Sequence, residues 1–382
     1  MVRTRAWNVA LLVAALVLGS RTAHAFPQED PPTTELREPE LMPEDPCPQS
    51  LDVLAALLKS DSGFTSQAAA ECLGEAKDSR PVEPLVQTIL SGEGDVHLVL
   101  YERDALRKIN DPHTADLLLD ALNSKETRWS AAVSLGDLQI TRGVDPLLVL
   151  LKSNDVQDRR TAAEALGPMK DTRALDALCA TLKQDDEVLR RYAVSSIGEI
   201  GDPRAVGVLI AALDDPDDGV RANAAESLGK IKDPSAVALL VARFADADEE
   251  RHVRMAAAES LGEIANPAAV TALIGALKSD SKFEQWYSAK ALAPLQQPEA
   301  VRALAESFEE RNFNVVVAVY PTLIRAGNAE FVPLLIDALN NSGDQSIAQG
   351  FVYSENSRLV DAARKYASEK GFELLDDSDE NP

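Results

Sequence analysis

One pattern recurs along this chain at a nearly constant interval, and its clearest copy is DDPDDGVRANAAESLGKIKDPSAVALL, Asp214 to Leu240. Aligned on its glycine or the equivalent residue, the copies fall at Gly74, Arg107, Gly136, Gly167, Gly198, Gly229, Gly262, Ala293 and Ile324, in steps of 29 to 33 residues. A unit this short cannot bury its own apolar face and must stack on its neighbours, so the period dictates an array instead of a globule.

Within each copy, the positions 8, 11, 12 and 15 places after this anchor residue are apolar, as in Val206, Leu209, Ile210 and Leu213 or Val270, Leu273, Ile274 and Leu277. That spacing is one face of an opening helix. A second, returning helix precedes the anchor, with Val220, Ala224, Leu228 and Ile231 on its inner stripe and small Ala224 and Ala225 where the two helices approach. Asp111, Asp202 and Asp233 each precede a proline, which places an N-cap carboxylate before a residue suited to the first helical position. The unit is a helical hairpin.

The pattern VRxxAAxxLGxIxDPxAVxxLI, spread over residues 50–371, resembles HEAT-like repeats of the phycobilisome-lyase type. The resemblance implies an all-α fold, a right-handed α-solenoid of about nine to ten two-helix HEAT-like repeats with the returning helices lining its concave face. Because that family contains pigment-attachment enzymes as well as scaffolds, it also implies, as an alternative, a lyase-like activity on a bilin-type chromophore.

The chain starts with Arg3 and Arg5, an apolar run from Ala6 to Leu18, and then Ala23-His24-Ala25. This reads as a signal peptide over residues 1–25, cleaved before Phe26, because the run is too short to span a bilayer. Residues 26–49 are rich in proline and acid and read as a disordered linker. Loss of Arg3, Arg5 and Arg21 takes the formal charge from −24 to −27, so nucleic acid and anionic membrane surfaces are repelled. The expected protein is exported to the periplasm or outside a bacterial envelope, does not insert in the membrane after cleavage, and is a solvated, acidic molecule. Its oligomeric state is not legible.

Cys179 lies in the apolar row 12 places after the anchor and is expected to be a core thiol. Cys47 precedes the first opening helix (Leu51 to Lys59) and Cys72 lies at the end of its returning partner, so the two ends are neighbours. Export makes the compartment oxidising, and a Cys47–Cys72 disulfide is expected to staple the N-terminal cap.

Arg128, Arg159, Arg190, Arg221 and Arg254 stand eight places before their anchors, with Asp155, Asp186, Asp217 and Glu250 four places earlier in the later copies. This tandem placement predicts a ladder of inter-repeat ion pairs that holds register. The end copies decay: the second carries Glu102 and Arg103 where others have alanine, and the ninth places Pro321 in its returning helix. Asn340 to Gly350 reads as a polar loop, Ser357 to Lys370 as a capping helix ended by Gly371, and 372–382 as an acidic tail.

No catalytic constellation assembles. His97, His113 and His252 are far apart, and no P-loop, GxGxxG, GxSxG or CxxC occurs, so no metal and no cofactor is expected. The rows seven, six and three places before the anchor point outward from the returning helices, and there the copies stop resembling one another. They carry Tyr101, Trp129, Arg160, Arg191, Tyr192, Asn223, Glu226, Met255, Glu259, Trp286, Tyr287 and Lys290. Trp, Tyr and Arg dominate binding energy at interfaces, so these residues are the candidate site for a protein or peptide partner on the concave face. The expected function is that of a non-enzymatic scaffold; besides the lyase, a structural spacer without a specific ligand is the remaining alternative, in which the aromatics merely cover neighbouring repeats.

Overall fold

The computed structural model describes residues 47, 50–60, 62–92, 96–295, 297–309, 315, 319–321, 323–324, 331–342, 345–354 and 356–375. The signal segment, residues 26–46 of the linker and residues 376–382 of the tail lie outside them, as does most of the ninth returning helix around Pro321. The described residues form helices and no strands.

They group into two compact units divided between Ala174 and Leu175. In the N-terminal unit, opening and returning helices alternate as α1 (Leu51–Leu57), α2 (Gly63–Ala76), α3 (Val82–Ser91), α4 (Val96–Ile109), α5 (His113–Ala121), α6 (Arg128–Asp137), α7 (Val144–Leu150) and α8 (Val156–Leu166). The C-terminal unit continues with α9 (Leu175–Thr181), α10 (Glu187–Ile200), α11 (Val206–Ala212), α12 (Asp218–Ile231), α13 (Val237–Ala245), α14 (Arg251–Ile264), α15 (Pro267–Leu277) and α16 (Lys282–Leu292). It ends with α17 (Pro298–Glu309), α18 (Phe331–Ser342), α19 (Gln345–Val352) and α20 (Ser357–Lys370). The fold is an all-α solenoid type built of helical hairpins.

The core follows the anchor. The residue 11 places after it is leucine in every copy, and Leu85, Leu118 and Leu147 in the first unit and Leu178, Leu209, Leu240 and Leu273 in the second are fully buried. The row 12 places after the anchor lies at the hairpin edge in most copies, where Leu119, Leu148, Ile210, Val241 and Ile274 are half-buried, although Val86 in the first is fully buried. Cys179 shares that environment and is a half-buried free thiol, not the core thiol expected from its row. Burial pushes it up, which leaves little thiolate at neutral pH.

The anchor glycines Gly74, Gly136, Gly198, Gly229 and Gly262 are seams between repeats. A Cβ on Gly136 would meet the Ala165 carbonyl oxygen at 2.6 Å, and one on Gly198 would meet the Cα of Ser227 at 2.9 Å. The residue two places before the next anchor fills this gap, and at two of the seams it is a serine whose hydroxyl bonds backward: Ser227 Oγ donates to the Val194 carbonyl at 3.0 Å and Ser260 Oγ to that of Ala225 at 2.8 Å. Small residues here let the returning helices touch through their backbones, which buries the rows of alanine on either side.

Three residues after the anchor the backbone enters the left-handed region, at Lys77, Asn110, Gln139, Lys170, Gly201, Lys232 and Ala265, by which point the returning helix has ended. Only Gly201 and Asn110 are residue types that announce such a stop. At Lys232 the backbone N–H caps the carbonyls of Leu228 and Gly229 despite the cost of a positive φ in an L-residue. Lys232→Gly is therefore expected to raise stability by about 1 kcal/mol, read as a higher denaturation midpoint of the C-terminal unit.

The arginine ladder is present with different rungs. Arg128 pairs with Asp158 at 2.8 Å, Arg190 with Asp215 at 2.8 Å, Arg221 with Glu249 at 2.6 Å and Arg254 with Glu284 at 3.4 Å. Asp155, Asp186 and Asp217, expected to form those rungs, cap helices by accepting from the backbone N–H of Gln157, Leu189 and Val220, and Asp155 and Asp217 also pair with Lys125 and Arg191 of the preceding repeat. A helix N-terminus holds a carboxylate by hydrogen bond and dipole together, leaving the arginines to the next acid in reach. Arg128, Arg190 and Arg221 also donate to a loop carbonyl of their own hairpin, as Arg221 Nη1 does to Asp215 at 2.9 Å, and Arg254 Nε donates to the Phe244 carbonyl near the end of α13 at 2.9 Å.

Cys47 and Cys72 are joined in a disulfide that ties the chain ahead of α1 to the end of α2. At the other end, the stretch read as a loop is helical, because α18 runs on to Ser342 and α19 follows from Gln345. Ile347, Ala348 and Phe351 bury one face of α19, a pattern that the polar residues around it conceal in the sequence. The capping helix α20 ends at Gly371 with φ 74°, as its glycine foretold.

Candidate functional site: the outward face of the returning helices

The face divides into two kinds of surface. In the N-terminal unit it is open: Leu100, Tyr101 and Trp129 are 59%, 36% and 55% exposed on the consecutive returning helices α4 and α6. Trp129 is oriented by its indole N–H, which donates to Glu164 on α8 at 3.1 Å. Arg160 is half-buried beside it in sequence register. Phe64, exposed on α2, belongs to the same stripe because it lies one helical turn before Gln67. Extending the outward rows by one more turn would have found it.

Carboxylates border this apolar stripe. Asp104 meets Lys108 at 3.1 Å and Arg107 at 3.4 Å, and Glu164 accepts from Trp129. Glu71 is half-buried, and its carboxyl is pushed up by that burial, with Lys108 opposing and Asp104 and Glu75 adding repulsion.

In the C-terminal unit the corresponding rows are consumed by contacts between repeats. Arg191 binds Asp217 at 2.5 Å and lies over Gly219, where a Cβ would sit 2.5 Å from its Nε. Asn223 donates to the Arg191 carbonyl at 3.1 Å. Tyr287, expected outside, is only 7% exposed: its ring packs 4.5 Å from that of Phe283, which in turn carries the Arg254 guanidinium 4.3 Å above it. An aromatic ring that can cover a seam gains more by burial than by facing water, so the copy ending at Ala293 turns it inward. Tyr192, Met255 and Trp286 are half-buried, while Glu226, Glu259 and Lys290 remain exposed. Among the described residues, no three His, Cys, Asp or Glu side chains stand close enough to hold a metal ion, and no helix is long and apolar enough to cross a membrane.

Models of HEAT repeats match residues 115–191 and 176–251, and that of the PBS lyase HEAT-like repeat matches residues 253–279. The chain carries HEAT repeats between residues 115 and 279. The HEAT array is similar to the solved Kap95:Nup1 complex, with a TM-score of 0.50 at 13% identity over 84% of this chain and 54% of that one. It is also similar to the complex of CpcE and CpcF of phycocyanin lyase from Nostoc sp. PCC7120 (TM-score 0.35, 22% identity, 72% and 97% covered) and to an engineered protein (0.37, 21%, 83% and 98%). No curated protein matches this HEAT-repeat sequence.

Proposed function

We propose that this HEAT-repeat chain is an exported, non-enzymatic scaffold that holds a protein or peptide segment on the outward face of its returning helices. The observation that carries the reading is the exposure of Leu100, Tyr101 and Trp129 on adjacent repeats, in a chain whose other outward aromatics and arginines are largely spent on its own seams. Large apolar side chains clustered on one solvent-facing stripe mark interaction surfaces. Kap95 with Nup1 is a solved example of this fold type in complex with a protein.

The test is affinity capture with residues 26–382 from an envelope extract, beside a Leu100→Ser/Trp129→Ala variant and a Trp286→Ala control. A partner bound by the wild type and the control is expected to be lost from the double variant, with affinity at least about tenfold weaker. Recovery of the same proteins by all three would reject this face. Saturable binding of a bilin in an absorbance titration would favour the lyase reading, and export requires N-terminal sequencing of the mature protein to begin at Phe26.

A further inference from the structure

The two units differ in the charge of the same outward rows. Over the positions seven, six and three before the anchors, the N-terminal unit carries Glu71, Asp104 and Glu164 against Arg160, with Asp104 held by Lys108 and Arg107, whereas the C-terminal unit carries Glu226 and Glu259 beside Lys290 and an Arg191 held by Asp217. The exposed apolar stripe therefore shares its outward rows with the carboxylates Glu71 and Glu164. Glu71 is held up by its burial, with Lys108 opposing and Asp104 and Glu75 adding repulsion, and a further cation would favour its charged form. Trp129 and Glu164 together set an aromatic face beside a carboxylate, a pair that suits an ammonium or guanidinium group through cation–π and ionic attraction at once.

From this coincidence we infer that the occupant of the N-terminal face is a segment that combines bulky apolar side chains with lysine or arginine. The inference rests on the proposed scaffold function and names the chemistry of its partner. The chain's own residues 26–46 fit poorly, since they carry seven carboxylates and only Arg37. Such a segment would be repelled where a basic one is drawn in.

Four synthetic peptides test it by calorimetry against residues 26–382 at low and physiological salt: an amphipathic Leu/Lys peptide, its Leu/Glu analogue, a Ser/Lys analogue, and residues 26–46. The Leu/Lys peptide is expected to bind, the Ser/Lys analogue at least about tenfold more weakly, and the Leu/Glu and 26–46 peptides not measurably. Leu100→Ser/Trp129→Ala should weaken the Leu/Lys peptide about tenfold, and Glu71→Gln/Glu164→Gln about threefold with a shallower salt dependence. Circular dichroism confirms that each variant keeps its helicity. Equal binding of the Leu/Glu or 26–46 peptide overturns the charge assignment, and equal binding of the Ser/Lys peptide reduces it to bulk attraction. An unchanged affinity in Leu100→Ser/Trp129→Ala places the peptide elsewhere and overturns the inference. If the envelope capture still loses its partner in that variant while the basic peptide fails, the scaffold reading stands and only the partner chemistry falls.

Discussion

Gly136→Val is expected to destabilise the N-terminal unit by about 3 kcal/mol, and Gly136→Ala by a smaller amount in the same direction. The reason is backbone contact: a Cβ at this position would lie 2.6 Å from the Ala165 carbonyl oxygen and 3.3 Å from its Cα, and backbone cannot move aside as a side-chain tip can. To admit even a methyl, α6 and α8 must separate, and the buried alanines Ala131, Ala132, Ala162 and Ala163 lose their packing with them. Hydrogen exchange resolved over residues 128–166 measures the effect, since a chain with two units need not unfold in one step. Gly207→Ala is the control. Its Cβ would meet nothing within 4 Å in α11, so ordinary helix propensity should raise stability by up to about 1 kcal/mol. Equal responses at the two glycines would refute the seam argument.

The second large effect comes from Glu102, which occupies a row filled by alanine in most copies and is 0% exposed. Neither carboxyl oxygen accepts a hydrogen bond, because the nearby Thr88 hydroxyl donates to the Pro84 carbonyl at 2.8 Å instead. Burial pushes this carboxyl up to about 8, with Thr88 and Arg103 opposing only in part. The folded chain thus keeps a proton that the unfolded chain releases near its ordinary value of 4.5. Stability falls as pH rises from about 4.5 to about 8 and is level on either side, and by pH 7 the loss is about 3 kcal/mol. Glu102→Gln should abolish this slope, and Glu102→Ala should both abolish it and raise stability at neutral pH. Denaturation midpoints of wild type and both variants at pH 5, 7 and 8.5 decide the matter; parallel profiles would show that the carboxyl is not buried neutral. Arg103 is the contrasting case, since it is buried but bonded to Asp137 and Ser134. In this pair of neighbours, one residue is satisfied and the other is not.

The array itself was legible because its signals are local and repeated. A leucine 11 places after each anchor and a Leu or Ile one place before most anchors can serve only a stacked hairpin, and the Asp-Pro pairs mark where the opening helices start, through short 3-10 turns at Pro203–Ala205 and Pro234–Ala236. The site was legible only in part. Trp129 and Tyr101 stand outward as their rows required, but Tyr287, in the same row as Tyr101, turns into a cluster with Phe283. Nothing in the row distinguishes them, because the difference is made by what the neighbouring repeat offers to cover.

By itself, then, the sequence determined the period, the hairpin, the buried rows and the acidity, each of which follows from spacing along a single helix or from composition. Tertiary structure decided which acid completes each arginine rung, which L-residues accept the left-handed stop after the anchor, that Arg191 and Asn223 serve the seams, and that, among the described residues, the exposed large apolar side chains of the outward rows lie in the first unit. Those outcomes depend on the distance between side chains about one repeat apart, where small shifts between stacked helices select one partner over another. A pattern read along the chain carries no information on that distance.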